Sequence, residues 1–258
     1  IILDIDGTLI DSLSEADVSA LLGPDVQPLH ADDDGDSIFP RPHLDEFLDF
    51  CFARFDEVAL WTAASRRWAE TVVEHVLGRG RPWAFVWSSE RCTHRRTLER
   101  GDRVTLKPLR KVWRRPALRG LGFRREGTVV VEDTPANCSR NHGNALYVRS
   151  FSVVDCWSAD RGAAEDDALL RLMSVLEKVV LPARDVRTVK AQLGAAGSFI
   201  ASKPEAPDCE RCGIEGKTQL GAAGSFIHSE PEASDCEACG VCGGTGLLLE
   251  DPCPLCTD

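Results

Sequence analysis

The chain has 258 residues, a net charge of −11 and eleven cysteines, and this length allows one sizeable core with an appendage. The negative total argues against bulk binding of nucleic acid, and no apolar run reaches the roughly 18–20 residues that a membrane-spanning helix needs. No signal peptide is visible, but the sequence begins within a predicted strand, so we expect further residues upstream and make no prediction of targeting.

Alternating strands and helices are predicted from residue 1 to about 182. Ser65 is placed to cap the second helix, and Pro116 is expected to end or kink the third. Apolar strands that alternate with helices predict an α/β fold built on a doubly wound parallel sheet. The predicted strands cover 1–5, 56–62, 83–88, 127–133 and 144–148, and the predicted helices cover 43–55, 66–77, 106–120 and 165–181.

Polar residues stand at the ends of three predicted strands. Asp4 and Asp6 end the first strand and point the same way, because side chains alternate along a strand. Two carboxylates this close repel each other unless a cation or a shared proton offsets the repulsion. Thr62 ends the second strand, and Glu132 and Asp133 end the fourth. Ligands of parallel sheets bind at the carboxyl ends of strands, so this pattern predicts one site.

The same residues supply the groups that phosphoryl transfer through an aspartate requires. One carboxylate attacks phosphorus, and a second protonates the leaving oxygen and then activates water. A divalent cation offsets the repulsion between carboxylate and phosphate, while a hydroxyl and a fixed cation hold the other phosphoryl oxygens. Lys111 is a nearby rival for the fixed cation. The candidate groups, in chain order, are Asp4, Asp6, Thr62, Lys107, Glu132 and Asp133.

Four segments, DIDGTL, LWTAAS, LKPL and VVVEDTP, resemble the four motifs of the haloacid-dehalogenase-like hydrolases. A finer resemblance is to the branch that contains the RNA polymerase II C-terminal-domain phosphatases, the NLI-interacting-factor-like domain. It is carried by RPHLDEFLDF (41–50), ERC (90–92) and EDTPANCSRNHGNAL (132–146), and it covers residues 1 to about 181. The short spacings from Asp6 to Thr62 and from Thr62 to Lys107 leave little or no room for a cap domain.

The resemblance implies a role for each candidate residue. Asp4 would be the nucleophile and Asp6 the general acid and base. Thr62 would bind phosphate, and Lys107 would stabilise the phosphoryl-aspartate. The implied cofactor is Mg²⁺, held by Asp4, the backbone carbonyl of Asp6, Asp133, and Glu132 either directly or through water.

Two positions depart from the branch. Glu132-Asp133 stands where the branch usually has Asp-Asp or Asp-Asn, and Gly7 stands where it often has Glu. Glu-Asp occurs in the wider superfamily, so the pair is interpreted as competent. Thr8 is expected to help shape the loop.

A basic stretch surrounds the predicted lysine. Thirteen Lys and Arg face two acids between Arg91 and Arg125, which indicates either a solvated helix face or a positive field beside a site for an anionic substrate. An open, basic site favours a large, acidic phosphoester such as a protein substrate, and the resemblance implies a phosphatase acting on phosphoserine or phosphothreonine in it. Two alternatives stay open: a small-molecule phosphatase with the same residues, and a non-catalytic protein-binding module like the mitochondrial translocase subunit of this fold.

The last third of the chain differs in composition. A 27-residue repeat, 192–218 and then 219–245, predicts a flexible linker over 183–235 and a cysteine-rich, largely irregular nodule over 236–258. The C-x-x-C pairs resemble half of the cysteine-rich region of DnaJ-type chaperones. They indicate metal ligation in a reducing compartment, the nucleus or the cytoplasm, and a tail that could dock a protein partner; redundant thiols without metal are the alternative. The predicted ligands of a structural Zn²⁺ are Cys239, Cys242, Cys253 and Cys256.

Overall fold

The computed structural model describes residues 1–22, 26–31, 35–96, 103–157 and 166–189, together with the backbone of 247–248 and 251–252. The chain forms two compact units, Ile1–Ser202 and Lys203–Asp258. Within the described ranges, no helix is long and apolar enough to cross a membrane. The linker predicted over 183–235 and the nodule predicted over 236–258 lie almost entirely outside the described residues, so both remain predictions.

Short strands and helices follow one another along the chain. The strands are β1 (Ile2–Leu3), β2 (Ile10–Ser14), β3 (His30–Ala31), β4 (Asp36–Pro40), β5 (Ala59–Trp61), β6 (Val86–Trp87), β7 (Thr93–Arg96), β8 (Arg103–Leu106), β9 (Val130–Glu132), β10 (Ala145–Tyr147), β11 (Leu247–Leu248) and β12 (Asp251–Pro252). The α-helices are α1 (Glu15–Leu21), α2 (Leu44–Arg54), α3 (Arg66–Val72), α4 (Arg110–Trp113), α5 (Pro116–Gly120), α6 (Val153–Trp157) and α7 (Ala168–Val175). Turns of 3₁₀ helix cover Ser89–Arg91, Pro135–Cys138, His142–Asn144 and Val186–Thr188, and π-helical turns cover Val73–Gly78 and Leu176–Val180.

A five-stranded parallel sheet forms the centre of the first unit, in the order β10-β9-β1-β5-β6. Strand β1 pairs on both sides, Ile2 with Ala59 and with Val130. All three side chains are buried, which explains why these strands are continuous apolar runs. The predicted parallel sheet is confirmed.

Helices cover both faces of this sheet, because alternate strand residues point to opposite sides. On one face, Leu3 and Leu60 join an apolar cluster with buried residues of α2 and α7. On the other face, Ile2 and Trp61 join a cluster that includes residues of α4 and α5. The doubly wound architecture therefore follows from the two-residue period of the strands.

Helix capping and proline placement agree with the sequence. The hydroxyl of Ser65 accepts a hydrogen bond from the backbone N–H of Trp68 at the start of α3. Pro116 begins α5 and separates it from α4, because proline fits the first turn of a helix and not its interior. The segment predicted as one helix over 106–120 is therefore two short helices, and Leu106 ends a strand instead.

Two antiparallel elements lie outside the central sheet. Strands β2, β4 and β3 form a small three-stranded sheet between the first strand and α2. Strands β7 and β8 form a hairpin that follows β6. Both are short additions to the α/β core, and neither has the size of an independent cap domain.

Candidate active site

The carboxyl ends of three neighbouring strands bring the predicted site residues together. Asp4 follows β1, Thr62 follows β5, and Glu132 and Asp133 lie at the end of β9. Strand β1 lies between the other two in the sheet, so these residues share one edge. Asp4, Thr62 and Glu132 are buried there.

Lys107 joins two of these carboxylates. Its Nζ donates to Asp4 Oδ1 at 2.5 Å and to Glu132 Oε2 at 2.7 Å, and the lysine side chain is completely buried. Its backbone N–H donates to the carbonyl of Asn137 at 2.7 Å, which anchors the start of the loop that follows β8. Burial alone would lower the pKa of Lys107, but the carboxylates of Asp4 and Glu132 outweigh it and raise that pKa. The lysine is therefore a fixed positive charge beside Asp4.

Lys111 does not reach the acidic residues. Its Nζ donates to the backbone carbonyls of Arg91 at 2.8 Å and Cys92 at 3.0 Å. It ties α4 to the turn that precedes β7. Of the two lysines, the geometry places Lys107 in the candidate site.

Asp4, Glu132 and Asp133 form an acidic group in which one carboxylate oxygen of each lies within 4.8 Å of the others. Burial raises the pKa of Asp4 well above its usual range, and Glu132 adds to this effect while Lys107 opposes it. Burial and then Glu132 raise the pKa of Asp133 in the same way. Three carboxylates here share one ammonium group, and a dication would balance the remaining negative charge. Carboxylate oxygens are ligands that Mg²⁺ prefers, so the residues present fit this ion.

Glu132 has both carboxylate oxygens engaged by the protein. Lys107 donates to one of them, and the side-chain amide of Asn137 donates to Oε1 at 2.9 Å. These bonds orient the carboxylate of Glu132 beside Lys107. Asn137 lies in the segment EDTPANC, but no role was predicted for it from the sequence.

Asp6 is held outside the acidic group. Its carboxylate accepts from Thr62 Oγ1 at 2.6 Å and from the indole Nε1 of Trp68 at 2.6 Å. Thr62 Oγ1 also accepts from the backbone N–H of Ala64 at 2.9 Å. Because the hydroxyl proton of Thr62 is donated to Asp6, the predicted phosphate contact requires this hydroxyl to turn. Trp68 was not predicted as a site residue, since an indole in the first turn of a helix has no distinguishing sequence pattern.

Asp133 lies against the loop that carries the two aspartates. Ser150 Oγ donates to Asp133 Oδ2 at 2.9 Å, and Thr134 Oγ1 donates to Oδ1 at 3.1 Å. Gly7 has φ +72°, and a Cβ added to it would lie 2.3 Å from Asp133 Oδ2. Only glycine allows both this backbone conformation and this approach. Ser150 follows β10, and no local sequence pattern marks it as a site residue.

A buried arginine, Arg41, also holds the backbone of this loop by hydrogen bonds. Arg41 donates to the carbonyl of Thr8 at 3.0 Å and to the carbonyl of Arg149 at 3.0 Å. Its guanidinium also binds Asp166 through two hydrogen bonds of 3.1 and 2.9 Å. Arg41 thus fixes the backbone beside Thr8, the residue expected to shape the loop, relative to the segment that leads to Ser150.

The predicted zinc ligands, Cys239, Cys242, Cys253 and Cys256, lie outside the described residues. In the chain before Cys253 and Cys256, the structure describes only β11 and β12, which pair with each other. The zinc site therefore remains a prediction.

Comparison with known families gives a match over most of the chain. The model of the family described as NLI interacting factor-like phosphatase matches residues 1–187, a range that contains the whole candidate site. The match begins one residue before β1 and ends within the 3₁₀ turn Val186–Thr188.

Two viral proteins are similar in sequence. A CTD phosphatase-like protein of Invertebrate iridescent virus 6 is 26% identical over 185 residues, which are 69% of this chain and 97% of the viral protein. A protein of the same description from Invertebrate iridescent virus 3 is 35% identical over 82 residues, which are 30% of this chain and 43% of the relative.

Two solved structures are also similar. One is described as Fcp1, an essential RNA polymerase II CTD phosphatase, with 17% identity and a TM-score of 0.42. The other is a variant of the fission yeast RNA polymerase II CTD phosphatase Fcp1 bound to beryllium fluoride, with 17% identity and a TM-score of 0.41. The matches cover 75% of this chain and 52% and 54% of the two structures, so the chain spans about half their length.

Proposed function

This chain belongs to the NLI interacting factor-like phosphatases, and from that membership we propose a Mg²⁺-dependent phosphatase that acts through an aspartyl-phosphate on Asp4. The proposed substrates are phosphoserine and phosphothreonine residues of proteins. The observation that carries the proposal is the buried contact of Lys107 with Asp4 and Glu132, next to the carboxylate of Asp133.

The proposed reaction has two steps. In the first, a carboxylate oxygen of Asp4 attacks phosphorus, the bond from phosphorus to the serine or threonine oxygen breaks, and Asp6 gives its proton to that oxygen. In the second, Asp6 takes a proton from water, the water oxygen attacks phosphorus, and phosphate leaves as the Asp4 carboxylate re-forms. Lys107 stays protonated in both steps and offsets the charge that builds on the phosphoryl oxygens.

The residues that would hold Mg²⁺ are Asp4, Asp133 and the backbone carbonyl of Asp6, with Glu132 acting directly or through water. When bound, the ion supplies positive charge that lets an anionic carboxylate approach an anionic phosphate. Gly7 and Ser150 keep the carboxylate of Asp133 in place for this role.

A protein substrate is supported by the surroundings of the site. The insertion between β1 and α2 is a small three-stranded sheet, so a bulky phosphoester can approach the carboxyl edge of the central sheet. The viral relative that is described as CTD phosphatase-like supports a phosphorylated polypeptide in the same way. The alternative is a phosphatase of small metabolites that uses the same residues. Rates of hydrolysis of phosphopeptides and of sugar phosphates distinguish the two functions.

Hydrolysis of p-nitrophenyl phosphate tests the catalytic proposal. We expect activity with Mg²⁺, loss of activity with EDTA, and loss of about 10³-fold or more in Asp4→Asn. Borohydride treatment during turnover should convert Asp4 to homoserine in the wild type and leave Asp6 unchanged, as peptide mass spectrometry would show. Equal rates in the wild type and Asp4→Asn would exclude the mechanism.

Substrate class is tested with a panel of phosphopeptides and sugar phosphates at matched concentration. A higher kcat/KM on phosphoserine or phosphothreonine peptides supports the protein phosphatase. A much higher kcat/KM on the sugar phosphates would contradict it and favour the small-molecule alternative, with the same site residues.

A further inference from the structure

The hairpin of β7 and β8 stands directly beside the candidate site. Cys92, which precedes β7, places its Sγ 3.7 Å from the carbonyl of Thr62. Leu106, which ends β8, is followed by Lys107. Both ends of the hairpin are thus fixed to residues of the site, while residues 97–102, which join the two strands, lie outside the described part of the chain.

One face of this hairpin is entirely polar. The register pairs His94 with Thr105 and Arg96 with Arg103, and these four residues share a face because side chains alternate along each strand. His94 Nδ1 and Thr105 Oγ1 are 3.2 Å apart, which agrees with this assignment. The opposite face carries Leu106, which is buried.

The pairing of Arg96 with Arg103 brings two like charges directly opposite each other. Directly opposed residues of an antiparallel pair have Cβ atoms about 5 Å apart, and like charges in this arrangement destabilise the pair. Both arginines are exposed. An anion between the two guanidinium groups would remove the repulsion and accept hydrogen bonds from both.

The described residues from Arg91 to Arg125, which include both strands of the hairpin, carry a large excess of positive charge. In the described residues between Arg91 and Arg125 there are twelve Lys and Arg and no Asp or Glu. Among them, Lys107 is the one that forms an ion pair with a described carboxylate. Three others lie over indole rings: Arg91 and Arg115 over Trp87, and Arg125 over Trp113.

We propose that Arg96 and Arg103 bind a second phosphate group of the same substrate chain, which makes the protein selective for multiply phosphorylated segments. This inference rests on the proposed function and adds a substrate class to it. Arg103 lies four residues before Lys107, and at about 3.3 Å per residue the strand places it roughly 13 Å away along the chain. An extended peptide covers this distance with about four residues, so the second phosphate is expected about four positions from the one that is hydrolysed.

The test compares phosphothreonine peptides that are identical except at one serine four residues away, on either side. We expect kcat/KM to be about tenfold higher when that serine is phosphorylated, through a lower KM, and to be intermediate when it is replaced by glutamate. A peptide with the second phosphate on the adjacent residue should show little gain. Raising the salt concentration should reduce the preference, since the arginines are exposed.

The variant Arg96→Gln/Arg103→Gln should lose most of this preference and keep wild-type activity on p-nitrophenyl phosphate. The matched control, Arg119→Gln/Arg124→Gln, removes two exposed arginines of the same basic stretch outside the hairpin and should keep the preference. An unchanged preference in the first variant overturns the proposal. A wild type without preference also overturns it, and would fit neutralisation of the two arginines by Glu99 and Asp102 of the connecting residues.

Binding measurements separate this inference from the proposed function. Fluorescence anisotropy with the singly and doubly phosphorylated peptides needs no turnover, so the difference in affinity can be measured even if no ester is hydrolysed. Inactivity toward every ester, with a retained difference in affinity, refutes the phosphatase and leaves the anion subsite supported. Tight binding of a single-stranded RNA oligonucleotide that depends on Arg96 and Arg103, without any peptide preference, overturns the proposal in favour of nucleic acid.

Discussion

Gly7 and Asp133 approach so closely that a methyl group on Gly7 would lie 2.3 Å from Oδ2 of Asp133. The same methyl would lie 2.7 Å from Ser150 Oγ, which donates to that oxygen. We therefore expect Gly7→Ala to displace the carboxylate of Asp133 and to reduce kcat/KM on p-nitrophenyl phosphate by about 100-fold or more. The strained backbone adds a loss of unfolding free energy of about 1–2 kcal/mol.

Gly122 provides the matched control for this substitution. It also has positive φ, +97°, but a Cβ added to it meets nothing within 4 Å. Gly122→Ala should lose about 1 kcal/mol of unfolding free energy through the backbone and leave kcat/KM unchanged. If both variants lose activity to the same extent, backbone strain alone accounts for the effect.

The buried position of Lys107 makes it the most sensitive residue of the site. Lys107→Met leaves Asp4 and Glu132 without their shared cation, so we expect loss of activity and a loss of about 3–5 kcal/mol in unfolding free energy. Lys111→Met removes only two hydrogen bonds to backbone carbonyls, at a cost of about 1 kcal/mol, and should keep activity. Urea unfolding and hydrolysis of p-nitrophenyl phosphate measure both effects. An inactive Lys111→Met beside an active Lys107→Met would reverse the assignment.

The parallel sheet and the grouping of site residues could be predicted because each acidic or hydroxyl residue follows an apolar strand. Asp4, Thr62 and Glu132 are far apart in sequence, but the carboxyl ends of parallel strands meet at one edge. Lys107 could be chosen over Lys111 only from its resemblance to a family motif, since both lie in one basic stretch. The choice between them depends on which lysine is buried, and sequence spacing does not encode this.

The contacts that support the site were not predictable in the same way. Trp68, Asn137 and Ser150 donate to the acidic residues from separate elements, and none of them lies at a position that a local pattern distinguishes. The hairpin of β7 and β8 was also missed. Its first strand, THRR, has no apolar residue, and its second, RVTL, alternates polar and apolar residues over four positions only, so neither gives a strong strand signal.

Trp68 is expected to act as a positioning residue for Asp6. Trp68→Phe keeps an aromatic side chain and removes the Nε1 donor that is 2.6 Å from Asp6 Oδ1, so we expect kcat to fall about tenfold with a small change in KM. The pH dependence of kcat should shift as well, which a purely structural role would not cause. Trp83→Phe is the control, since its Nε1 donates to the carbonyl of Gly78 away from the site. Equal kcat values for the wild type and Trp68→Phe would show that this hydrogen bond does not position Asp6.

Arg41, which is buried, forms an ion pair with the partly buried Asp166, and this pair can be compared with an exposed one. Arg41→Met leaves Asp166 and the carbonyl of Thr8 without their donor, so unfolding free energy should fall by about 3 kcal/mol, with reduced activity. Arg54 also binds a carboxylate, that of Glu177, but both side chains are more than 40% exposed. Arg54→Met should therefore cost at most about 1 kcal/mol. Chemical denaturation of the two variants measures the difference, and similar losses would argue against a bracing role for Arg41.

Burial of the Cys51 thiol predicts a loss of unfolding free energy at alkaline pH. Burial in α2 raises the pKa of its thiol to about 12, above the value of about 8.5 in an unfolded chain. The folded state thus binds the proton more tightly than the unfolded state, so this stabilisation is complete below about pH 8.5 and is lost as pH rises toward 12. Between pH 8 and 10.5 the wild type should lose about 2.5 kcal/mol more unfolding free energy than Cys51→Ala, which lacks the titrating group. Cys51→Ala is itself less stable at pH 8 by about 1–2 kcal/mol because it leaves a small cavity, so the comparison uses the pH dependence of each protein. If unfolding free energy changes with pH equally in the two proteins, the thiol does not ionise on unfolding in this pH range.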